Sequence, residues 1–254
     1  GDEDQPRILG AFNETTPDWL AFFMFSYFTD RDGKYQLASL AESAFDPLSR
    51  TCKFMLTEEA NHMFTGESGV MRIVNRTCEL MKESDDVVKL GGIPLDLIQK
   101  YINFHYSVSL DLFGAEESTN AANFYACGLK GRYKEESIDD DHILDKHERT
   151  HLNERLQNDY IEDCERGLAR WNKSIRNHGI DFELELPNKS INRRVGRYAN
   201  HTDYGVSLPS DAEREYVASL MSPVTTPGKF ANYITPPTKG VHGNSVDFEY
   251  VRFN

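Results

Sequence analysis

Glu59 and His62 stand three positions apart in Thr57-Glu-Glu-Ala-Asn-His-Met63, inside a stretch whose apolar residues recur at helical intervals. On a helix, positions i and i+3 share a face, so a carboxylate and an imidazole so placed can reach one metal ion. Asp30 lies 29 residues upstream, on the helical line through Phe23 and Tyr27. A carboxylate on an apolar stripe is costly unless something neutralises or bonds it. Three such groups on two adjacent helices leave few folds to consider.

The spacing turns these three residues into neighbours. Thr16-Pro17-Asp18 reads as a helix start, with Thr16 capping and Pro17 in the first turn. Asp46-Pro47 is read as a second start, and Gly66 as the end of the helix it opens. That second helix carries Leu48, Cys52, Met55, Leu56 and Met63 on one stripe, with Glu59 among them. From Asp30 to the end of the first helix is roughly 21 Å, and from Asp46 to Glu59 about 20 Å, at 1.5 Å per residue. A tight antiparallel hairpin therefore brings Asp30 level with Glu59. A di-iron carboxylate centre is built from a Glu or Asp on one helix and a carboxylate-x-x-His on the next, given twice. This pair supplies half of it.

Helices are also expected over 67–84, 94–113, 116–130 and, heavily charged, 139–178, with a loop at 85–95. After residue 180, Pro187, Pro209, Pro223, Pro227, Pro236 and Pro237 break any long periodicity, and Ser210-Asp-Ala-Glu opens one further helix near 210–221. The reading is all-α: a linker and short apolar element over 1–16, a helical domain over 17–180, and an irregular C-terminal region over 181–254. Asp139-x-x-His142 and Glu148-x-x-His151, with Asp111 upstream, have the spacing of a second half-site but lie in a charge-dense solvated stretch. The second half is expected upstream of Gly1, since the chain opens without Met on an acidic linker.

The net charge of −13 in 254 residues argues against a nucleic-acid surface. Cys52, Cys78, Cys127 and Cys164 form no Cys-x-x-Cys pair and read as reduced thiols of a cytoplasmic protein. The longest apolar run, Trp19 to Phe28, is too short for a bilayer, which takes about 20 residues. Phe22, Phe23, Phe25, Tyr27 and Phe28 read first as core. Lys189, Arg193, Arg194 and Arg197 form the densest basic cluster, with Lys130 and Arg132 a smaller one. The plain reading is exposed charge, and the sharper one is contact with the phosphates of a nucleotide-bearing substrate.

Thr16-Pro-Asp-Trp-Leu20, Phe22-Phe-Met-Phe-Ser-Tyr-Phe-Thr-Asp-Arg-Asp-Gly-Lys34, Phe45-Asp-Pro-Leu-Ser-Arg-Thr51 and Phe54-Met-Leu-Thr-Glu-Glu-Ala-Asn-His-Met-Phe64 closely resemble the oxygenase component of benzoyl-CoA 2,3-epoxidase, a ferritin-like di-iron enzyme of aerobic benzoate degradation. Ser118-Thr-Asn-Ala-Ala-Asn123 and Gly128-Leu-Lys-Gly-Arg132 extend the likeness over most of residues 5–180. The resemblance implies a ferritin-like bundle with Asp30, Glu59 and His62 as iron ligands. It implies that a Glu and a further Glu-x-x-His lie on helices upstream of this chain. It also implies benzoyl-CoA and dioxygen as substrates, and a separate NADPH-dependent flavin and iron–sulfur reductase as electron donor. Two alternatives stay open: a di-iron oxygenase acting on another aryl-CoA or an arylamine, and a metal-free helical binding module whose three residues form only a buried polar network.

Overall fold

A computed structural model describes residues 16–114, 117–133, 144–187 and 206–221. Among these the chain is all-α, as expected. Helix α1 spans Trp19–Leu40, α2 Asp46–Leu80, α3 Leu95–Asp111, α4 Thr119–Ala126, α5 Lys146–Thr150, α6 Leu152–Asn177 and α7 Asp211–Met221. Helices α1 and α2 form the antiparallel hairpin, α3 and α6 pack against it, and α7 closes on α1. This is the arrangement expected of a ferritin-like bundle.

Several boundaries differ from the sequence reading. The cap of α1 is Asp18, two residues later than Thr16. Its Oδ1 accepts the Ala21 amide at 2.7 Å and its Oδ2 accepts the Tyr101 hydroxyl at 3.1 Å, so a buried carboxylate ties the start of α1 to α3. Helix α2 begins at Asp46 itself, with Phe45 in the N-cap position making no side-chain cap and Pro47 in its first turn. Gly66 does not end it. The helix runs on to Leu80, and the absent side chain at 66 lets α1 approach. The expected 116–130 helix is the shorter α4, which stops before Gly128 in the left-handed region at φ 72°. The charged 139–178 stretch is broken at His151 into α5 and α6, and residues 139–143 lie outside those described.

The core lies between α1, α3 and α6. Leu20, Met24, Tyr27 and Phe28 of α1 meet Ile98, Tyr101, Ile102 and Tyr106 of α3 on one side and Tyr160, Trp171 and Ile175 of α6 on the other. Tyr27 packs 4.5 Å from the Trp171 ring and donates its hydroxyl to the Cys164 carbonyl at 2.8 Å. Of the aromatic run on α1, Tyr27 and Phe28 are buried, Phe23 and Phe25 half-buried and Phe22 exposed. All four cysteines are free thiols. Among the described residues no helix is long and apolar enough to cross a membrane.

Helix α2 is buried unevenly. Its second half carries Val70, Ile73, Val74 and Cys78 into the core, whereas no residue from 53 to 65 is buried. The expected apolar stripe therefore holds only at Cys52. Leu48, Leu56 and Met63 are half-buried and Met55 is exposed, because this stretch has α1 on one side and nothing among the described residues on the other. Phe54 and Phe64 stand 68% and 72% exposed there.

Candidate metal centre

Asp30 leaves α1 where the hairpin faces the outer half of α2, and Glu59 and His62 leave α2 one turn apart. Each offers a ligand atom, and the three atoms lie within 4.8 Å of one another. His62 Nδ1 is 3.6 Å from Glu59 Oε2 and 3.8 Å from Asp30 Oδ2. Among the described residues no other group of three His, Cys, Asp or Glu converges in this way. The predicted hairpin register is thus realised.

The cluster sits at the edge of the packed region. Glu59 is 14% exposed and Asp30 21%, whereas His62 is 54% exposed on the open side of α2. Burial pushes the Asp30 carboxyl up to about 6, the Glu59 carboxylate pushes the same way, and His62 and a hydrogen bond from Ser26 pull against them. Burial also raises the Glu59 carboxyl, with His62 opposing. Two carboxylates thus crowd one half-dry spot. Glu59 Oε2 is buried with no hydrogen-bond partner. At 3.6 and 3.8 Å from the two carboxylates the imidazole stands at ion-pair distance, longer than an ordinary hydrogen bond. A cation between them would satisfy the orphaned oxygen and cancel the repulsion. Two carboxylates and an imidazole form a hard donor set suited to iron.

The other sequence candidates fare differently. Glu148 is committed to a capping box at the start of α5, where Asp145 Oδ1 accepts its amide at 2.9 Å and its own Oε2 accepts the Asp145 amide at 2.7 Å. His151 turns Nδ1 toward the His147 carbonyl at 2.9 Å. These two do not gather as a second half-site, and Asp139 and His142 lie outside the described residues. Lys189, Arg193, Arg194 and Arg197 also lie outside them. Lys130 and Arg132 are not exposed charges but buried ones. Sequence reasoning singled them out but missed their burial, because a short loop reveals nothing of what covers it. It also missed Ser26, one turn before Asp30 and readable in retrospect as an i, i+4 partner.

Fold and site together define an all-α protein with a carboxylate–histidine cluster able to hold a metal ion. Over its whole length the chain is 51% identical, in an alignment of 295 residues, to benzoyl-CoA oxygenase component B of Aromatoleum evansii, and it spans 62% of that protein's length. Over its own length the chain is thus closely similar to benzoyl-CoA oxygenase component B, the likeness its motifs had indicated. No family model matches it.

Proposed function

We propose that this chain contributes one helix pair to the di-iron centre of a cytoplasmic oxygenase that epoxidises the ring of benzoyl-CoA in aerobic benzoate degradation. The observation that carries this reading is the convergence of Asp30, Glu59 and His62 from two antiparallel helices around an orphaned carboxylate oxygen. The identity to benzoyl-CoA oxygenase component B supports the substrate. Asp30, Glu59 and His62 would hold iron, and iron bound there supplies the reduction of dioxygen and delivery of oxygen to the ring. The chain's own part is structural and electrostatic. The hairpin fixes the spacing of the donors, and Ser26 orients the Asp30 carboxylate. The two carboxylates would offset the positive charge of iron held there. Electrons come from a separate NADPH-dependent flavin and iron–sulfur reductase.

The remaining ligands, a Glu and a second Glu-x-x-His, belong in this reading to an upstream segment of the same protein. Its natural seat is the outer half of α2, where His62, Phe54 and Phe64 are each exposed. A metal-free polar network fits less well, because it leaves Glu59 Oε2 buried without a hydrogen-bond partner.

The test is iron content after anaerobic reconstitution with Fe(II), with the upstream segment present, alongside Glu59→Ala and His62→Ala. Each substitution should remove iron while leaving the helical spectrum unchanged. Iron content unchanged in both variants would show that these residues do not hold the metal and would leave them as a buried polar network of a non-catalytic module. Turnover of benzoyl-CoA, compared with other aryl-CoA thioesters and arylamines, then decides the substrate.

A further inference from the structure

Among the described residues, glycine stands inside a helix at position 33 of α1, at 66 and 69 of α2 and at 167 of α6. Glycine is the least favourable residue of a helix interior after proline, so each of these places calls for a reason. Three have one in the packing. A Cβ at 66 would collide with the α1 backbone, one at 69 with the Phe23 ring, and one at 167 with the Tyr27 hydroxyl. Gly33 has no such neighbour. Beyond its own stretch of helix, a Cβ there would meet one described heavy atom within 4 Å, Glu59 Oε1 at 3.8 Å, which is ordinary contact. Its backbone is right-handed helix, so no left-handed conformation calls for glycine either.

The atom that Gly33 faces belongs to the metal cluster. Position 33 lies one turn beyond Asp30 on the same face of α1. The other oxygen of Glu59, Oε2, stands 3.6 Å from His62 Nδ1. One oxygen of this carboxylate thus faces His62, and the other faces a methyl-sized space over the bare backbone of α1. The space is half-buried. Alanine would strengthen the helix and gain contact with Glu59, and glycine forgoes both. A residue that gives up stability on two counts beside a cluster of metal-ligating groups is keeping room for something else. Glycine is suited to that task, because it lets a ligand come up against the backbone itself.

The surroundings set the chemistry of the occupant. It is small, because a single Cβ at 33 already reaches contact distance with Glu59 Oε1. It is uncharged, because Asp30 and Glu59 bring two carboxylates to the same spot and would repel a further anion. We propose that Gly33 keeps a space beside Glu59 for a small uncharged ligand of the metal, a diatomic molecule of the size of dioxygen, and that its missing side chain sets the size limit there. This rests on the reading of Asp30, Glu59 and His62 as iron ligands, and adds to it a residue that governs what else can reach that iron.

The experiment compares the parent chain with Gly33→Ala and Gly33→Val, the upstream segment being present, in three measurements. Without metal, Gly33→Ala should unfold at a higher urea concentration than the parent, because the added methyl enters open space on a helix. After anaerobic reconstitution with Fe(II), its iron content should equal the parent's, since no ligand atom is displaced. Nitric oxide is an uncharged diatomic that binds Fe(II), and its titration is read from the visible iron–nitrosyl band. Gly33→Ala should bind it about tenfold or more weakly than the parent, and Gly33→Val more weakly still. A urea midpoint of Gly33→Ala at or below the parent's would mean that the space is not open. Equal nitric oxide affinity in all three proteins would mean that no ligand uses it. Loss of iron from Gly33→Ala would make the residue a positioner of the ligands and not a keeper of space. Each of these overturns the proposal and leaves the iron ligands where they are. A parent chain that takes up no iron would instead sink the oxygenase reading, and this inference with it.

Discussion

Gly66 of α2 lies directly beneath the backbone of Tyr27 in α1: a Cβ at position 66 would stand 2.5 Å from the Tyr27 nitrogen and 2.7 Å from the Phe23 carbonyl oxygen. Position 66 is one turn beyond His62, and Tyr27 is one turn before Asp30. The close approach here is what lets short carboxylate side chains from the two helices reach a common point.

Gly66→Ala should therefore do two things. Backbone has no way to rotate aside, so the helices must part, at a cost of about 1–3 kcal/mol or somewhat more. Parting them also draws Asp30 away from Glu59 and His62, so Fe(II) affinity should fall further than stability does. Gly69→Ala is the control. Its Cβ would strike the Phe23 ring at 2.3 Å, but Phe23 is half-buried and can swing outward. Denaturant unfolding and Fe(II) titration of both variants should rank Gly66→Ala as the more damaging on each count, and the reverse order would remove Gly66 from its positioning role.

The metal cluster should store a cost that shows when no metal is bound. The Asp30 carboxyl is raised to about 6 from 3.8, first by burial and then by Glu59. The folded chain therefore favours the protonated acid. The stability this group gives is fully present below pH 3.8 and is lost as the pH rises through about 6. At pH 7, metal-free Asp30→Asn should melt above the parent chain, and the gap should close as the pH approaches 4. With Fe(II) present the order should invert, because the parent gains a ligand that the variant lacks. Scanning calorimetry at both pH values, with and without Fe(II), reads all four cases.

Asp163 of α6 anchors the other side of α1. Lys34 Nζ approaches its Oδ2 at 2.9 Å, Arg31 Nε the same oxygen at 3.4 Å, and Arg166 its Oδ1 at 2.9 Å. Burial alone would raise its carboxyl, but the Lys34 hydrogen bond, the Arg31 and Lys34 charges and the Arg166 hydrogen bond together hold it below 3.8. Arg31 is buried, and its guanidinium also lies 3.9 Å over the Tyr27 ring. Among the described residues Asp163→Asn leaves that cation with Glu67 at 3.8 Å as its remaining ion-pair partner and should cost about 3–5 kcal/mol. Lys34→Met removes a partly exposed partner and should cost under about 1 kcal/mol. Urea unfolding of the two variants separates a buried ion cluster from a decorative one.

What the sequence told and withheld follows from which quantities are local. The meeting of Asp30, Glu59 and His62 needed only the i, i+3 rule, the rise per residue and one Asp-Pro start, all properties of a single chain segment. The helix from 94 and the Ser210 start near 210–221 were legible for the same reason. Gly66 was misread because glycine carries one signal for two situations, a helix end and a close crossing, and only the neighbouring helix distinguishes them. The start of α1 moved to Asp18 because Tyr101, 83 residues away, holds that carboxylate. Met55, Leu56 and Met63 follow a helical apolar period without being buried, since periodicity marks a face but not what covers it. Lys130 looked solvated by its type alone, and nothing local announces that Ser39 pins its loop under α1.

His105 gives the chain an acid limit that belongs to its core and not to the metal cluster. The imidazole is buried on α3, stacked 6.2 Å from Tyr101 and edge-on to Phe104 at 5.0 Å, with Nε2 lacking a hydrogen-bond partner. Burial first, and the Arg214 charge second, hold it down to about 3 against an ordinary 6.5. Arg214 sits 4.5 Å over the Phe104 ring, so the second cause is fixed in place. The native chain keeps this histidine neutral while the unfolded chain protonates it below 6.5. Stability is thus full above that pH and falls by about 1.4 kcal/mol per pH unit as acid is added toward 3. His105→Leu removes both the proton uptake and the orphaned nitrogen. Its unfolding free energy should stay close to the parent's at pH 7 and exceed it progressively at pH 5.5 and 4.5. The parent's other acid-sensitive groups are common to both proteins and cancel in the difference. Two stability curves running parallel from pH 7 to 4.5 would mean that His105 is protonated in the folded state after all.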